Sequence, residues 1–503
     1  MPSVVFLSVS KEINMEHIEK LTLLHSNDMH GDFLAEEKEG YHEGGVSLLS
    51  GYIKQVREEE PNTLFAIAGD MFRGSIIDSE YRGLSTIELM NFLSPDVVTI
   101  GNHEVDYGLS HLLFLEKCAK FPIVNANMYI KTNHTRLFKP YEIIDINGLK
   151  VMFIGIITEE VLASTRSEEV IGSFVDVWEA ARQVGVIIDN YKTTRIDLTV
   201  LLTHIGFEED QKLASLLDPN WGVDLIIGGH THTLLNEPCI VNGIPIVQVG
   251  VGTDQIGRFD IQINTVQHKM ADYTWKCLPI NTNTCRPDTI LEEVLESYKK
   301  ETDRKYNRII TNFKRTLTHP RRNMETELGN LFADLLQVDS SFDIMLYASG
   351  SIRLQEMGPI VQYQDLKECL PFNAPVYMLE VSGKQFRHMM KYMLRDEALD
   401  GDGHSEFYQV SKGVKMVYSR SKHDFEEFSY NGKKIVDNQI LKIAIQDYHF
   451  KNFTEFFDLP IEQVLANKKA RMVITDDFSI FEELLVGMNN VDSQVEGRIT
   501  ITD

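Results

Sequence analysis

The sequence predicts a two-domain chain whose first domain is α/β, and three observations carry that reading. Short apolar runs recur from Leu21 onward and stop abruptly at Gly or a polar residue, the pattern of buried strands. Segments with apolar residues at helical spacing lie between them. The chain has 503 residues, more than one hydrophobic core comfortably serves, so two domains of ordinary size are expected.

LTLLHSN reads as the first strand, and MEHIEKLTLLHSND already supplies it whole, so the residues before Met15 read as an artefact of start-site choice. A helix is expected in GGVSLLSGYIKQVREEE, where Val46, Leu49 and Ile53 recur at helical spacing. Strands are expected near 63–68, 97–100, 151–157, 198–203 and 224–228, with helices such as SFVDVWEAARQVGVIIDNY between them. A β-rich section closes the first domain near Pro279. The charged helical pattern of TILEEVLESYKKETDRKYNRI is expected to link the domains. The expected boundaries are 20–285 for the first domain, 286–310 for the helical linker and 311–503 for the second domain. The sequence has no internal repeats or low-complexity tracts.

Five strand ends carry side chains of metal-ligand type. Asp28 and His30 follow LTLLHSN, Asp70 follows TLFAIAG, Asn102 and His103 follow VVTIG, His204 follows LTVLLT, and His230 and His232 follow DLIIGG. In open α/β sheets the carboxyl edge of the strands is where ligands sit. A tetrahedral site uses four ligands, so the set Asp28, His30, Asp70, Asn102, His204, His230 and His232 fits two divalent metals better than one. Asp70 is the natural bridge, because a carboxylate has two oxygens with lone pairs to spare and its charge lowers the repulsion between neighbouring cations. His103 is left over for chemistry. Mixed Asp, Asn and His donors without thiolate admit manganese, zinc, iron or cobalt.

Acidic residues outnumber basic ones, 74 to 49, for a formal net charge of -25. No long basic tract offsets this, which argues against nucleic acid or an anionic membrane as the main partner. A small anionic substrate would need the metals and a few local arginines to overcome that field. Cys118, Cys239, Cys277, Cys285 and Cys369 form no CxxC pair and read as reduced, buried thiols. PSVVFLSVS is apolar but too short for a signal segment, has no basic stretch before it and is followed by charged KEINMEHIEK. No stretch is long enough to cross a bilayer, and the chain is expected to be cytoplasmic.

The segments HSNDMHG, AGDMFRGS, GNHEVDYG, LLTHIG and GGHTHT resemble the ordered blocks of the calcineurin-like metallophosphoesterases. GNHEVDYG and IPIVQVGVGTDQIGRFDI are similar to the 5'-nucleotidase and UDP-sugar hydrolase branch, and TELGNLFADLL, SGSIR and LPFNAPV resemble that branch's substrate domain. The resemblance runs from about Leu21 to about Phe457. It implies an N-terminal β-sandwich flanked by helices, a four-layer αββα arrangement, followed by an α+β substrate domain. It puts Asp28, His30, Asp70 and His232 on one metal and Asp70, Asn102, His204 and His230 on the other, with hydroxide attacking phosphorus in line. It also makes His103 and Asp106 a dyad, in which Asp106 orients His103 and His103 stabilises the phosphoryl oxygens or helps the leaving group depart.

In the substrate domain, Arg353 in SGSIR and Arg322 in HPRRNMETELGN match positions where relatives set arginines on the substrate phosphates. Phe372 in LPFNAPV matches an aromatic that stacks on the nucleobase. Two departures stand out. Relatives carry an Asn-Gly-Gly-Gly-Ile-Arg block, and the segment from Ala348 to Arg353 lacks the leading Asn. Relatives also carry Gly-Gly-Asp-Gly before a second stacking aromatic, whereas IAIQDYHFKNFTEFF has no glycine, so Phe456 or Phe457 would supply that face from a loop of different conformation. The resemblance implies a nucleotidase acting on nucleoside monophosphates, with UDP-sugars as further substrates. The alternatives are a phosphodiesterase acting on 2',3'-cyclic nucleotides or another phosphoester and, in a different class, a metal-binding sensor or partner-recognition protein with vestigial hydrolysis.

Overall fold

Strands that are apolar on both faces need cover on both faces, and the chain meets that need by stacking sheets between helices. The computed structural model describes residues 17–130, 133, 135–158, 173–174, 176–191, 193–337, 341–400, 406–466 and 468–503. The expectation about the segment before Met15 lies outside them. The chain forms two compact units, one ending at Thr302 and the other starting at Asp303.

The first unit contains β1 (Ile18–Ser26), β2 (Thr63–Ala68), β3 (Val97–Thr99), β4 (Ile123–Val124), β5 (Tyr141–Ile146), β6 (Leu149–Ile157), β7 (Leu198–His204), β8 (Leu225–Ile227), β9 (Cys239–Val241), β10 (Ile244–Val247), β11 (Gln255–Asn264) and β12 (Lys269–Pro279). They form two six-stranded sheets, ordered β12-β11-β1-β2-β3-β4 and β9-β10-β8-β7-β6-β5. β1, β2 and β3 run parallel in the first sheet and β6, β7 and β8 in the second, so their carboxyl ends share an edge.

Alternation along each strand assigns its two faces. Leu21, Leu23, Ala66 and Val97 of the first sheet meet Val151, Phe153, Val200 and Leu225 of the second in one buried layer. On the outer face of the first sheet, Leu24, Phe65 and Ile67 pack against Leu49 and Ile53 of α1 (Val46–Glu59) and Met90 of α2 (Leu84–Leu93). On the outer face of the second, Met152, Ile154 and Leu201 pack against Ala181, Val184 and Ile187 of α3 (Val177–Asn190) and Leu213 of α4 (Phe207–Leu216). This is the four-layer αββα arrangement the resemblance implied. Each Val, Leu, Ile, Phe or Met side chain among them contributes ~1.5–3 kcal/mol on full burial, which favours closing the sandwich over leaving either sheet face open.

Local chemistry moves some boundaries. The segment expected to be helical from residue 173 becomes helix only at Val177, where the Asp176 side chain accepts from the Glu179 amide and caps it. The charged helix α5 (Thr289–Tyr306) contains the division between the two units.

The second unit is α+β. It contains β13 (Ile344–Ala348), β14 (Val376–Ser382), β15 (Tyr408–Val410), β16 (Val414–Ser419), β17 (Asp424–Tyr430), β18 (Lys433–Lys434), β19 (Ile440–Gln446), β20 (Arg471–Ile474) and β21 (Ile499–Thr502). A five-stranded sheet has the order β15-β13-β19-β14-β20 and a four-stranded one the order β18-β17-β16-β21. One face of the larger sheet packs Met345, Tyr347 and Ala444 against Phe332 of α6 (Glu327–Leu336). The other face packs Leu346, Leu379 and Ile443 against Phe386 and Met390 of α7 (Gly383–Met393) and Met416 of the smaller sheet. Among the described residues no helix is long and apolar enough to cross a membrane. All five cysteines are free thiols.

Candidate active site

Both sheets of the first unit deliver their ligand-type residues to one place. Asp28 and His30 follow β1, Asp70 follows β2, Asn102 and His103 follow β3, His204 ends β7, and His230 and His232 follow β8. Five of these residues have left-handed backbone: Asp28 at φ 49°, His30 at 48°, Asp70 at 51°, His230 at 83° and His232 at 52°. Such a conformation costs ~1–3 kcal/mol per non-glycine residue and persists where surrounding structure imposes it, which marks this edge as functional.

The side chains converge. His30 and His232 bring their Nε2 atoms to 3.0 Å of each other, and Asp28 Oδ1 lies 3.5 Å from His232 Nε2. Asp70 Oδ2 lies 3.0 Å from His204 Nε2 and 3.8 Å from His30 Nε2. Asn102 Oδ1 lies 2.8 Å from His230 Nδ1 and 3.2 Å from His204 Nε2. Ligand atoms within 4.8 Å of one another form three groups: Asp28, His30 and His232; His30, Asp70 and His103; and Asp70, His204 and His230. All seven residues read from the sequence as ligands are brought together, and nitrogen and oxygen donors without thiolate suit divalent first-row metals. Imidazole nitrogens converging with two carboxylates and an amide oxygen form the kind of donor set that holds a divalent cation.

The frame behind these donors fixes their direction. His204 Nδ1 donates to the Ala68 carbonyl at 2.8 Å, leaving Nε2 turned inward. Asp28 accepts from the His230 amide at 3.0 Å and from Asn27 Nδ2 at 2.7 Å. A Cβ on Gly101 would sit 2.2 Å from Asp70 Oδ1, so only glycine fits there. Burial pushes the Asp70 carboxyl up, but His204 outweighs it and the group lies below the usual carboxylate range. Burial pushes His204 down, and Asp70 again outweighs it, so the imidazole lies above its ordinary value. The pair is therefore charged in the metal-free chain, and a cation would displace the imidazolium proton.

His103 and Asp106 form the expected contact, with Nδ1 donating to Asp106 Oδ2 at 2.6 Å. The hydrogen bond to Asp106 raises the His103 imidazole above its ordinary value despite partial burial. Arg73 Nη1 donates to the same carboxylate oxygen.

In the second unit the turn after β13 carries Arg353, whose guanidinium lies 5.0 Å over the Phe372 ring. Phe372 is 45% exposed. Arg322 is exposed, and both it and Arg353 bear electrostatically on Glu406, which accepts from the Gly350 amide at 2.8 Å. Phe456 is partly buried against His449, with ring centroids 4.6 Å apart. Phe457 is fully buried against Tyr408 and presents no face to a ligand.

The calcineurin-like phosphoesterase family matches residues 21–234, the stretch that carries every one of these strand ends. The 5'-nucleotidase C-terminal domain family matches residues 305–459. The chain joins a calcineurin-like phosphoesterase domain to a 5'-nucleotidase C-terminal domain. It is thereby a metal-dependent phosphoester hydrolase of 5'-nucleotidase type. The snake venom 5'-nucleotidase of Naja atra is 27% identical over 473 residues, covering 84% of this chain and 85% of its own length. The 5'-nucleotidase of Rattus norvegicus is 24% identical, covering 95% of this chain and 90% of its own. Among solved structures, the 5'-nucleotidase precursor of Thermus thermophilus shares the fold with a TM-score of 0.57 at 23% identity, over 96% of this chain and 100% of that one.

Several residues of this phosphoesterase site escaped the sequence reading. Glu104 is fully buried and accepts from three backbone amides, those of Asp70 at 2.9 Å, Met71 at 2.7 Å and Gly101 at 2.6 Å. Burial pushes its carboxyl up to about 7. Its place beside His103 was the available signal. In the 5'-nucleotidase domain Tyr448, 64% exposed, follows the β19 end whose neighbour β13 leads to Arg353. An aromatic three residues past an apolar run was the signal there. Gln446 accepts from the Ala348 amide at 3.2 Å and donates to Asp477 at 3.0 Å, and Asp477 accepts from the Ala374 amide at 2.9 Å. That pair ties the Arg353 turn to the Phe372 loop.

Proposed function

We propose that the protein is a 5'-nucleotidase that hydrolyses nucleoside monophosphates with two divalent cations, and cleaves UDP-sugars as further substrates. One observation carries this reading: the Asp70 carboxylate faces His204 on one side and His30 on the other, at 3.0 and 3.8 Å. Asp28, His30, Asp70 and His232 would hold one cation, and Asp70, Asn102, His204 and His230 the other. When bound, the cations neutralise phosphoryl oxygens and lower the pKa of a water so that hydroxide is available near neutral pH.

The chain's own side chains do the rest. His103, kept cationic by Asp106, holds a proton at Nε2 for the phosphoryl oxygens or the leaving group. Arg322 and Arg353 bind the substrate phosphate through guanidinium forks. Phe372 stacks on the base, and Phe456 and the exposed Tyr448 are the aromatics available for its second face. A second reading, hydrolysis of 2',3'-cyclic nucleotides or another phosphoester, is favoured by the glycine-free segment after β19 and the burial of Phe457.

Phosphate release from AMP, beside uridine monophosphate and glucose phosphate release from UDP-glucose, tests the reading with manganese and after chelation. Turnover of AMP that needs the metal is the expected result. Turnover of aryl phosphates with none of AMP or UDP-glucose would contradict the nucleotidase assignment and favour the second reading.

A further inference from the structure

A cavity of about 460 Å³ opens in the second unit, lined by α7, the turn after it and the β16–β17 hairpin. Lys384, Arg387, His388, Lys391, Arg395 and His423 line it, together with the carboxylates of Asp396 and Glu397. Positions 384, 387, 388 and 391 fall on one stripe of α7, and the opposite stripe, Phe386, Met389, Met390 and Met393, is buried.

Helix energetics alone do not account for this stripe. Like charges three and four positions apart oppose helix formation by ~0.2–0.5 kcal/mol per pair. The helix dipole favours cations in the last turn, which suits Lys391, but disfavours one in the first turn, where Lys384 stands. Local carboxylates compensate only in part. Asp424 lies 3.4 Å from Arg387 and 3.7 Å from Lys391. Asp396 is taken by Arg420 at 2.9 Å and by His423 at 3.8 Å. Arg395 lies 3.8 Å over the Tyr392 ring and donates to the Tyr392 carbonyl. Among the described residues no carboxylate forms an ion pair with Lys384 or Arg395.

In a chain of net charge -25, cations without carboxylate partners around a cavity are the feature an anion would recognise. Seven positions of α7 separate Lys384 from Lys391, ~10 Å at the helical rise, and Arg395 stands beyond the helix end, a spread too wide for one phosphate and suited to several in a row. We propose that this cavity binds a small molecule carrying a chain of phosphate groups, free or as the tail of a nucleotide.

Calorimetric titration of the full chain with tripolyphosphate under excess chelator tests this without involving the metal centre, so its outcome is separate from that of the nucleotidase reading. Saturable binding is expected, weakened at least tenfold by Lys384→Ala with Arg395→Ala and unchanged by Arg353→Ala. Lys384→Glu, a single exposed substitution, is expected to weaken it as well, and an unchanged thermal midpoint checks that each variant is folded. Adenosine triphosphate in place of tripolyphosphate separates the two sources: equal binding assigns the phosphate chain itself, and tighter binding assigns a nucleotide. No saturable binding, binding kept by the double variant, or binding abolished by Arg353→Ala would each overturn the proposal.

Discussion

Glu104 holds the backbone on which the proposed metal ligands stand. Its carboxylate gathers amides from the two turns that present Asp70 and Asn102, so a change at this residue is transmitted to donors it does not touch. Glu104→Gln replaces an acceptor with an amide NH₂ facing backbone N–H groups. Manganese affinity is expected to fall ~10–100-fold, read calorimetrically on the metal-stripped chain; unchanged affinity would contradict the positioning role. His103→Ala is expected to keep both metals and lower kcat for AMP by ~10²–10⁴, and a wild-type rate would remove His103 from the chemistry. The cluster of Asp, Asn and His side chains was legible because each follows an apolar run, a pattern visible one segment at a time. Glu104 was not, because its partners are backbone amides of other turns, and amides leave no mark in a sequence.

At the scale of elements, the sheet edge of the second unit is organised by Gln446 and Asp477. Gln446→Leu removes the link between the Arg353 turn and the Phe372 loop, and KM for AMP is expected to rise ~10-fold while aryl phosphate hydrolysis is unchanged. An equal loss on both substrates would mean that the first unit is affected instead. Asp224, at the foot of β8, accepts from the Thr199 amide at 2.8 Å, and burial pushes its carboxyl up to about 6. The native state therefore binds this proton more tightly than the unfolded chain does. Its stabilising contribution is full below the ordinary carboxylate pKa and is lost as pH rises through about 6. Asp224→Asn is expected to flatten that part of the thermal midpoint against pH, and an unaltered slope would contradict it. The parallel strands were legible as continuous apolar runs because both faces are buried. The start of α3 was not, because the Asp176 cap sets it and apolar periodicity does not.

At the scale of the whole molecule, the reading of two domains rests on length and on two sets of motifs, and the division falls inside a helix that the sequence marks by its charge. The cavity beside α7 was not legible, since a basic stripe on one helix becomes a site only when the β16–β17 hairpin folds against it. The net charge of -25 opposes an anionic substrate at long range. KM for AMP is expected to fall as ionic strength rises from ~10 to ~150 mM and the Debye length shrinks from ~30 to ~8 Å, and a rise would contradict that field. The central claim is a two-metal centre bridged by Asp70. Counting bound manganese on the dialysed chain and on Asp70→Asn tests it most directly: two ions per native chain and one or fewer in the variant are expected, whereas one ion per native chain, or two in the variant, would contradict the account.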